Sequence, residues 1–396
     1  MPGIGIIGGS FGGGGAAPAP SGGYVPPSDW IELPSITAGE NKFAGVVAVW
    51  NVSTNYITVD VTVDSGTWSV DWGDGNTQTE IASGTVAEHN LTYDGATGDL
   101  TTRGYKTALV VVTTSGGNIT GIDLTNRHSG ASDTYISPWL NIRLAGSSIS
   151  TFDIAGSQTL IGALEQLDFV GTNSITNLGT FFSLCYALVK VANLDTSSAT
   201  SMTNHTSSSY IKELPAYDFS GATSLIAVFG GFYGDEISIS DMSTLTSANQ
   251  MFNNSRTVKV INITDGSTGS LTSLSQFARN ANSLQYINGL GDASNVTDWD
   301  RFAQNSGLVE VDAYDLSSAT NLSQWLDGAH SVRRIKAYGA TITHSIANCL
   351  LGVTEMEEYA TNLGDGTGQT ITTSNNPASG AWDTTIATNK NWTVVD

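Results

Sequence analysis

The sequence predicts a β-rich chain in two parts: a β-sandwich, then a solenoid of stacked short units with short helical or irregular convex segments. Apolar-x-x-apolar tetrads begin at Leu284, Leu308, Val332 and Met356, each 24 residues after the last, and a fixed period of this size marks stacked supersecondary units. Comparable tetrads are headed by Leu140, Leu164, Leu188, Ile211, Gly234 and Val258, so about ten units fit between residues 140 and 359. Ahead of them the apolar period changes to two, the period of strands with one buried face.

The totals bound the function. At 396 residues and 40% hydrophobic content the chain can build two or three cores. Asp and Glu outnumber Lys and Arg by 36 to 15, a formal net charge of −21, although only 13% of residues are charged. Such a surface repels a phosphate backbone and argues against nucleic acid as a partner. An acidic surface rich in Thr, Ser, Asn and Gly suits an extracellular or virion-surface protein as well as an ordinary acidic soluble one. There is no long apolar run, so membrane insertion is not expected. Residues 1–27 carry no positive charge and only a short apolar patch, so a secretory signal is not expected either. Cys185 and Cys349 are distant in a one-dimensional stack and are expected as unpaired, buried, small hydrophobes.

In chain order, residues 1–29 are a Gly/Pro-rich segment that cannot bury enough apolar surface to fold alone. It is either a passive linker or an attachment peptide anchored on a neighbouring subunit through Ile4, Ile6, Ile7 and Phe11. Residues 30–117 hold β-branched, alternating runs starting at Val46, Tyr56, Thr67 and Ala108, which predict an antiparallel sandwich. In the turn after Trp72, Gly73 and Gly75 permit positive φ and the Asp74 carboxylate can cap the chain. Asp71, Asp74 and Asn76 could instead ligate calcium, but two carboxylates without a dedicated loop favour the turn, and no metal site is expected. The run W-S-V-D-W-G-D-G-N at 68–76, His89 with Tyr93, and Gly104 and Tyr105 leading into the last strand resemble the polycystic-kidney-disease-type (PKD) immunoglobulin-like domain. That resemblance implies an Ig-like sandwich for display or adhesion with no catalytic centre; residues 94–103 are an insertion relative to it.

Residues 118–379 form the predicted solenoid, with Ile119, Ile122 and Leu124 as a first capping unit. Within a unit, Leu308, Val311 and Ala313 follow the L-x-x-L-x-L rule of leucine-rich repeats, and Leu322, Trp325 and Leu326 close the far wall. Met251, Phe252, Phe277 and Phe302 recur there at similar spacing. With the S-N-V-T run at 294–297 and the S-A-T-N run at 318–321, these units resemble bacterial surface leucine-rich repeats of the BspA and mycoplasma-lipoprotein type. Residues 380–396 resemble the short helix and K-G-W-T-V strand that close many such arrays, with Asn391 in place of the glycine.

The register can be checked from charges. Offsets 2, 4 and 6 from each tetrad head should point out onto the sheet face, and equal offsets in successive units should lie about 4.8 Å apart. Offset 2 places Lys190 beside Glu213, and Glu310, Arg334 and Glu358 in succession; offset 4 places Asp312 beside Lys336. Opposite signs alternate, as lateral neighbours require. Offset 6 places Tyr217, Tyr314 and Tyr338 on the same face, either as a platform for a sugar or a partner protein or as a self-packing ladder.

No catalytic constellation is recognised: the histidines are scattered, none has a metal-site spacing, and the glycines of residues 8–15 lack the K-S/T of a phosphate loop. The many Asp and Glu residues leave a glycosidase-type carboxylate pair, as in a glycan depolymerase, as the minor alternative; no enzyme activity and no cofactor are expected. The domain pairing and the glycine-rich start resemble a bacteriophage virion appendage, a tail, head or collar fibre. That resemblance implies localisation on the virion, oligomeric assembly with other virion structural proteins through the N-terminal segment, and binding to a host-surface glycan or protein. A bacterial cell-surface adhesin and a purely structural capsid decoration protein are the alternatives.

Overall fold

The alternating runs form the first six strands: β1 (Lys42–Val49), β2 (Tyr56–Val63), β3 (Thr67–Asp71), β4 (Thr77–Ile81), β5 (Thr85–Asn90) and β6 (Lys106–Ser115). The computed structural model describes residues 23–132, 137–154, 161–183, 185–207, 209–264, 268–291 and 293–396; the expected anchors Ile4, Ile6, Ile7 and Phe11 lie outside them. The chain is 30% strand and 4% helix, and winds into a β-solenoid of about ten turns. β1, β6, β3 and β4 lie in one sheet and β2 and β5 in another. Phe43 and Val47 of β1, Trp68 and Val70 of β3 and Val110 of β6 share a buried core with Ile57, Val59 and Val61 of β2.

β1 reads as an unbroken apolar run because it is covered on both sides. On its outer side Trp30, Leu33 and Ile36 pack against Ala44, Val46 and Ala48. Gly45 interrupts the run for a steric reason: a Cβ there would lie 2.2 Å from Cζ3 of Trp139. The covering segment continues back to Tyr24, whose hydroxyl donates to Glu165 and whose backbone N–H donates to Glu213, both on solenoid rungs.

The turn after β3 is built as its glycines require, with Gly73 at φ 76° and Gly75 at φ 90°. Asp74 does more than cap it. Its Oδ1 accepts the Asn76 N–H at 3.2 Å, and its Oδ2 meets His89 Nε2 at 2.8 Å and accepts the Thr92 N–H at 3.3 Å. His89 in turn stacks on Trp72 with ring centroids 5.3 Å apart. Both carboxylate oxygens therefore hold protein donors. Burial alone would raise the Asp74 carboxyl; the hydrogen bonds from His89 and Asn76 and the His89 charge outweigh it and hold it below its ordinary value.

No sheet breaks at the boundary expected between residues 117 and 118. β7 (Ile119–Asp123) pairs antiparallel with β2 and parallel with β9 (Thr151–Asp153). β8 (Trp139–Ala145) pairs antiparallel with β1 and parallel with β10 (Gln166–Val170), which pairs on to β11 (Lys190–Ala192). The resulting orders are β11-β10-β8-β1-β6-β3-β4 and β5-β2-β7-β9, so both sheets run from the first unit into the solenoid.

Further rungs stack in parallel. Strands Tyr217–Asp218, Glu236–Asp241, Val260–Ile263 and Tyr286–Asn288 make one sheet, and Glu310–Val311 pairs with Arg334–Ile335. Across the core a second ladder links Ser247, Ser273, Asp298 and Asn321 in successive coils. Phe229, Phe252, Phe277 and Phe302 fill the space between as a file of rings, with centroids 5.0, 5.3 and 5.8 Å apart. The far wall turns on residues in the left-handed region, among them Asn254 (φ 64°), Asn280 (φ 59°) and Asn305 (φ 55°). Asparagine tolerates that conformation, and here the amides also bond rung to rung: Asn280 Nδ2 donates to Asn254 Oδ1 at 3.0 Å and Asn305 Nδ2 to Asn280 Oδ1 at 3.1 Å. At one corner Thr246, Thr272, Thr297 and Thr320 each donate Oγ1 to the carbonyl of the preceding rung's threonine, at 2.8, 3.0, 3.3 and 3.2 Å.

The last tetrad departs from the expected rung. Met356 and Tyr359 lie in helix α1 (Val353–Asn362), both buried. Apolar residues three apart suit one helical face as well as a strand of this coil, so the spacing alone does not decide between them. The chain then returns to the stack: α2 (Thr385–Thr388) precedes a strand, Trp392–Val395, that pairs parallel with Gln369–Thr372. Asn391, at φ 65°, keeps the left-handed turn and ties it to Asp365 Oδ1 at 3.0 Å.

Two stability effects are expected from this packing. Phe277→Ala should cost about 3–5 kcal/mol in denaturant unfolding, since it removes a fully buried ring from the middle of the file. Asp74→Asn should cost about 2 kcal/mol, because charge-assisted hydrogen bonds are lost while their donors stay in place; unchanged stability would show that the turn does not depend on the carboxylate.

Candidate functional site

The outward face of the strand ladder carries the charges that the register predicts. Glu310 and Arg334 are paired residues of neighbouring strands, and Arg334 donates from Nε and a terminal nitrogen to Glu358 at 3.1 and 2.7 Å. Arg334 is thus flanked by the two expected glutamates, although Glu358 reaches it from α1. Lys190 lies opposite Glu213 and pairs with it at 3.4 Å. Asp312 does not pair with Lys336 as expected. Lys336 forms its ion pair with Glu310, while Asp312 Oδ1 accepts the Ala313 N–H at 2.8 Å.

Burial corrects the tyrosine assignment. Tyr314 is 3% exposed and Tyr217 0% exposed, so of the three expected on the outer face only Tyr338, at 43%, is there. In the rung headed by Val258, burial follows the rule at Ile261 and Ile263. In the rung headed by Leu308 the chain folds tightly at Asp312, whose carbonyl accepts the Tyr314 N–H at 2.8 Å. This advances the phase by one residue, leaving Ala313 exposed and Tyr314 inside; a one-residue slip exchanges the faces. Tyr314 packs on Trp299, ring centroids 5.5 Å apart. Tyr217 has a dedicated internal partner, its hydroxyl lying 2.8 Å from His205 Nε2.

His205 is fully buried, with Nδ1 at 2.7 Å from the Leu178 carbonyl, and burial lowers its pKa to about 4. His344 repeats the arrangement with Tyr359 at 2.8 Å and the Ile342 carbonyl at 2.8 Å, and is also lowered to about 4 by burial. In both, Nδ1–H donates to a carbonyl and Nε2 accepts from tyrosine, which fixes a neutral imidazole. Cys185 and Cys349 are free and buried, and burial pushes both thiols up to about 12. These groups are built into the core. Among the described residues no group of three or more His, Cys, Asp or Glu could hold a metal ion, and no helix is long and apolar enough to cross a membrane.

Two surface features were not legible from the tetrad heads. Tyr186, Tyr210 and Tyr233 are 47%, 50% and 44% exposed. Each follows an inward residue of the far wall, Cys185, Ser209 and Phe232, by one position. Counted from the far wall the three align in successive coils; counted from the heads at Leu188, Ile211 and Gly234, Tyr210 and Tyr233 fall one residue before the head but Tyr186 two, because the connecting turn varies by one residue. The second feature is an open cleft of about 560 Å³ lined by Thr320, Asn321, Ser323, Thr343, Ser345 and Gln369. It forms where the second ladder stops: Asn321 is the last residue bridged, and His344–Ser345 pairs onward with the strand Gln369–Thr372. The Trp325 indole enters this break and donates to the Ser345 carbonyl at 3.1 Å.

No protein-family model, curated protein or solved structure matches the chain.

The buried imidazoles set a pH dependence. Their folded pKa lies below the unfolded value of about 6.5, so the unfolded state binds more protons between about pH 6.5 and 4, and their stabilising effect is present above that window and lost as pH falls through it. Thermal midpoints should therefore decline over that interval, and His205→Gln with His344→Gln should flatten the decline; an equally steep profile in the double variant would show that other groups govern it.

Proposed function

We propose that this chain is a non-enzymatic structural appendage of a virion, a tail, head or collar fibre that displays its solenoid to a host surface or a neighbouring protein. The observation that supports a display role best is the sharing of both sheets between the N-terminal unit and the solenoid. Ladder hydrogen bonds across that junction suit an element that must hold a surface away from its attachment point, where a flexible linker would let it fold back. Rows of Thr, Asn and Ser that bond laterally, with charges paired between rungs, suit a broad, mostly uncharged contact face.

In this reading the two-sheet unit is an Ig-like spacer of the PKD type. Its support is the W-G-D-G turn, whose aspartate gathers His89 and Thr92 from the following segment. The rungs are read as BspA-type leucine-rich repeats, supported by the inward positions Val258, Ile261 and Ile263. Attachment to other virion proteins is assigned to residues 1–29, with no cofactor, no nucleic acid and no membrane insertion.

Immunogold labelling with an antibody raised against the solenoid tests this. Label is expected on the protruding parts of purified particles, and deletion of residues 1–29 should abolish incorporation. Particles that carry no label, with label instead on uninfected cells, would replace this reading by that of a cell-surface adhesin.

A further inference from the structure

We infer that Tyr186, Tyr210 and Tyr233, with Lys212 and Arg256, form a binding strip for an acidic glycan chain. This rests on the display reading and names the ligand class for it. The three tyrosines occupy one position in successive coils, and all are about half exposed. Tyr210 and Tyr233 lie with ring centroids 4.8 Å apart and planes inclined at 46°. Both rings are about half exposed, Tyr210 at 50% and Tyr233 at 44%. The coil repeat of ~4.8 Å is close to the length of one pyranose unit, so consecutive rings meet consecutive sugars.

Charge selects among glycans. The next coil carries exposed Arg256 at the corresponding place: the adjoining Thr257 donates Oγ1 to the Phe232 carbonyl at 3.2 Å, which seats this segment beside Tyr233. Lys212, two residues from Tyr210, is also exposed. Neither cation is in an ion pair among the described residues, whereas the nearby acids are engaged: Asp235 with Lys259 at 2.8 Å, Glu213 with Lys190 at 3.4 Å, and Glu236 with the Asn262 amide. In a chain with net charge −21, two uncommitted cations beside an aromatic strip are complementary to carboxylated sugars. A protein partner fits less well. A strip one residue wide lacks the roughly 1,200 Å² or more of contact that a stable protein interface buries.

The test uses the purified full chain and calorimetric titration at low salt with hexamers of galacturonate and of mannuronate, and with maltohexaose as the neutral counterpart. Saturable binding of at least one uronate hexamer is expected, at least tenfold tighter than maltohexaose and weakening with salt. Tyr210→Ser with Tyr233→Ser should reduce uronate affinity at least tenfold. Lys212→Gln with Arg256→Gln should bring it down to the neutral level. Both double variants should keep the parental thermal midpoint, since all four side chains are exposed. Absence of saturable binding to either uronate, or undiminished affinity in the tyrosine variant, overturns the inference. The outcome is independent of particle labelling, so the two readings fail separately.

Discussion

The stacking of parallel rungs through backbone hydrogen bonds is the constraint on which the rest of this structure depends. Such a stack has two ends, and an uncovered end presents unpaired N–H and C=O groups to any passing strand. At the first end the problem is met by sheet continuity: β8 adds to β1 and β7 to β2, so the solenoid begins on strands already held in another core. At the other end the stack closes with α2 and the strand Trp392–Val395, whose Trp392 is 3% exposed.

Lateral pairing explains how a chain with few charges and many small polar residues remains ordered. In a coil of this kind each outward residue has a counterpart one strand spacing away, so a weak interaction is repeated along the stack. The threonine corner, the asparagine turns and the pairing of Glu310 with Arg334 are three uses of this geometry. Single exposed pairs are worth little. The apolar interior supplies most of the stability, and the file from Phe229 to Phe302 repeats the lateral principle with rings.

Disruption of the repeat is where the surface acquires individual features. An extra residue at Asp312 turns Tyr314 inward, and where the second ladder ends at Asn321 the Trp325 indole bonds the Ser345 carbonyl beside the cleft. A connecting turn one residue longer or shorter hides the alignment of Tyr186, Tyr210 and Tyr233 from a reading that counts from tetrad heads. Each is a local departure within a stack whose buried core stays contiguous.

The sequence by itself determined the period, the change to alternating strands before residue 117, the turn after Trp72 and the lateral charge order around Arg334, because each is written in spacing that the backbone repeats. It did not determine the side on which Tyr217 and Tyr314 lie, the helical form of the segment around Met356, or the continuity of the sheets across residues 117 and 118. Those were decided by tertiary structure, since the face of a residue depends on every turn before it, and the pairing of β8 with β1 joins segments that no local pattern connects.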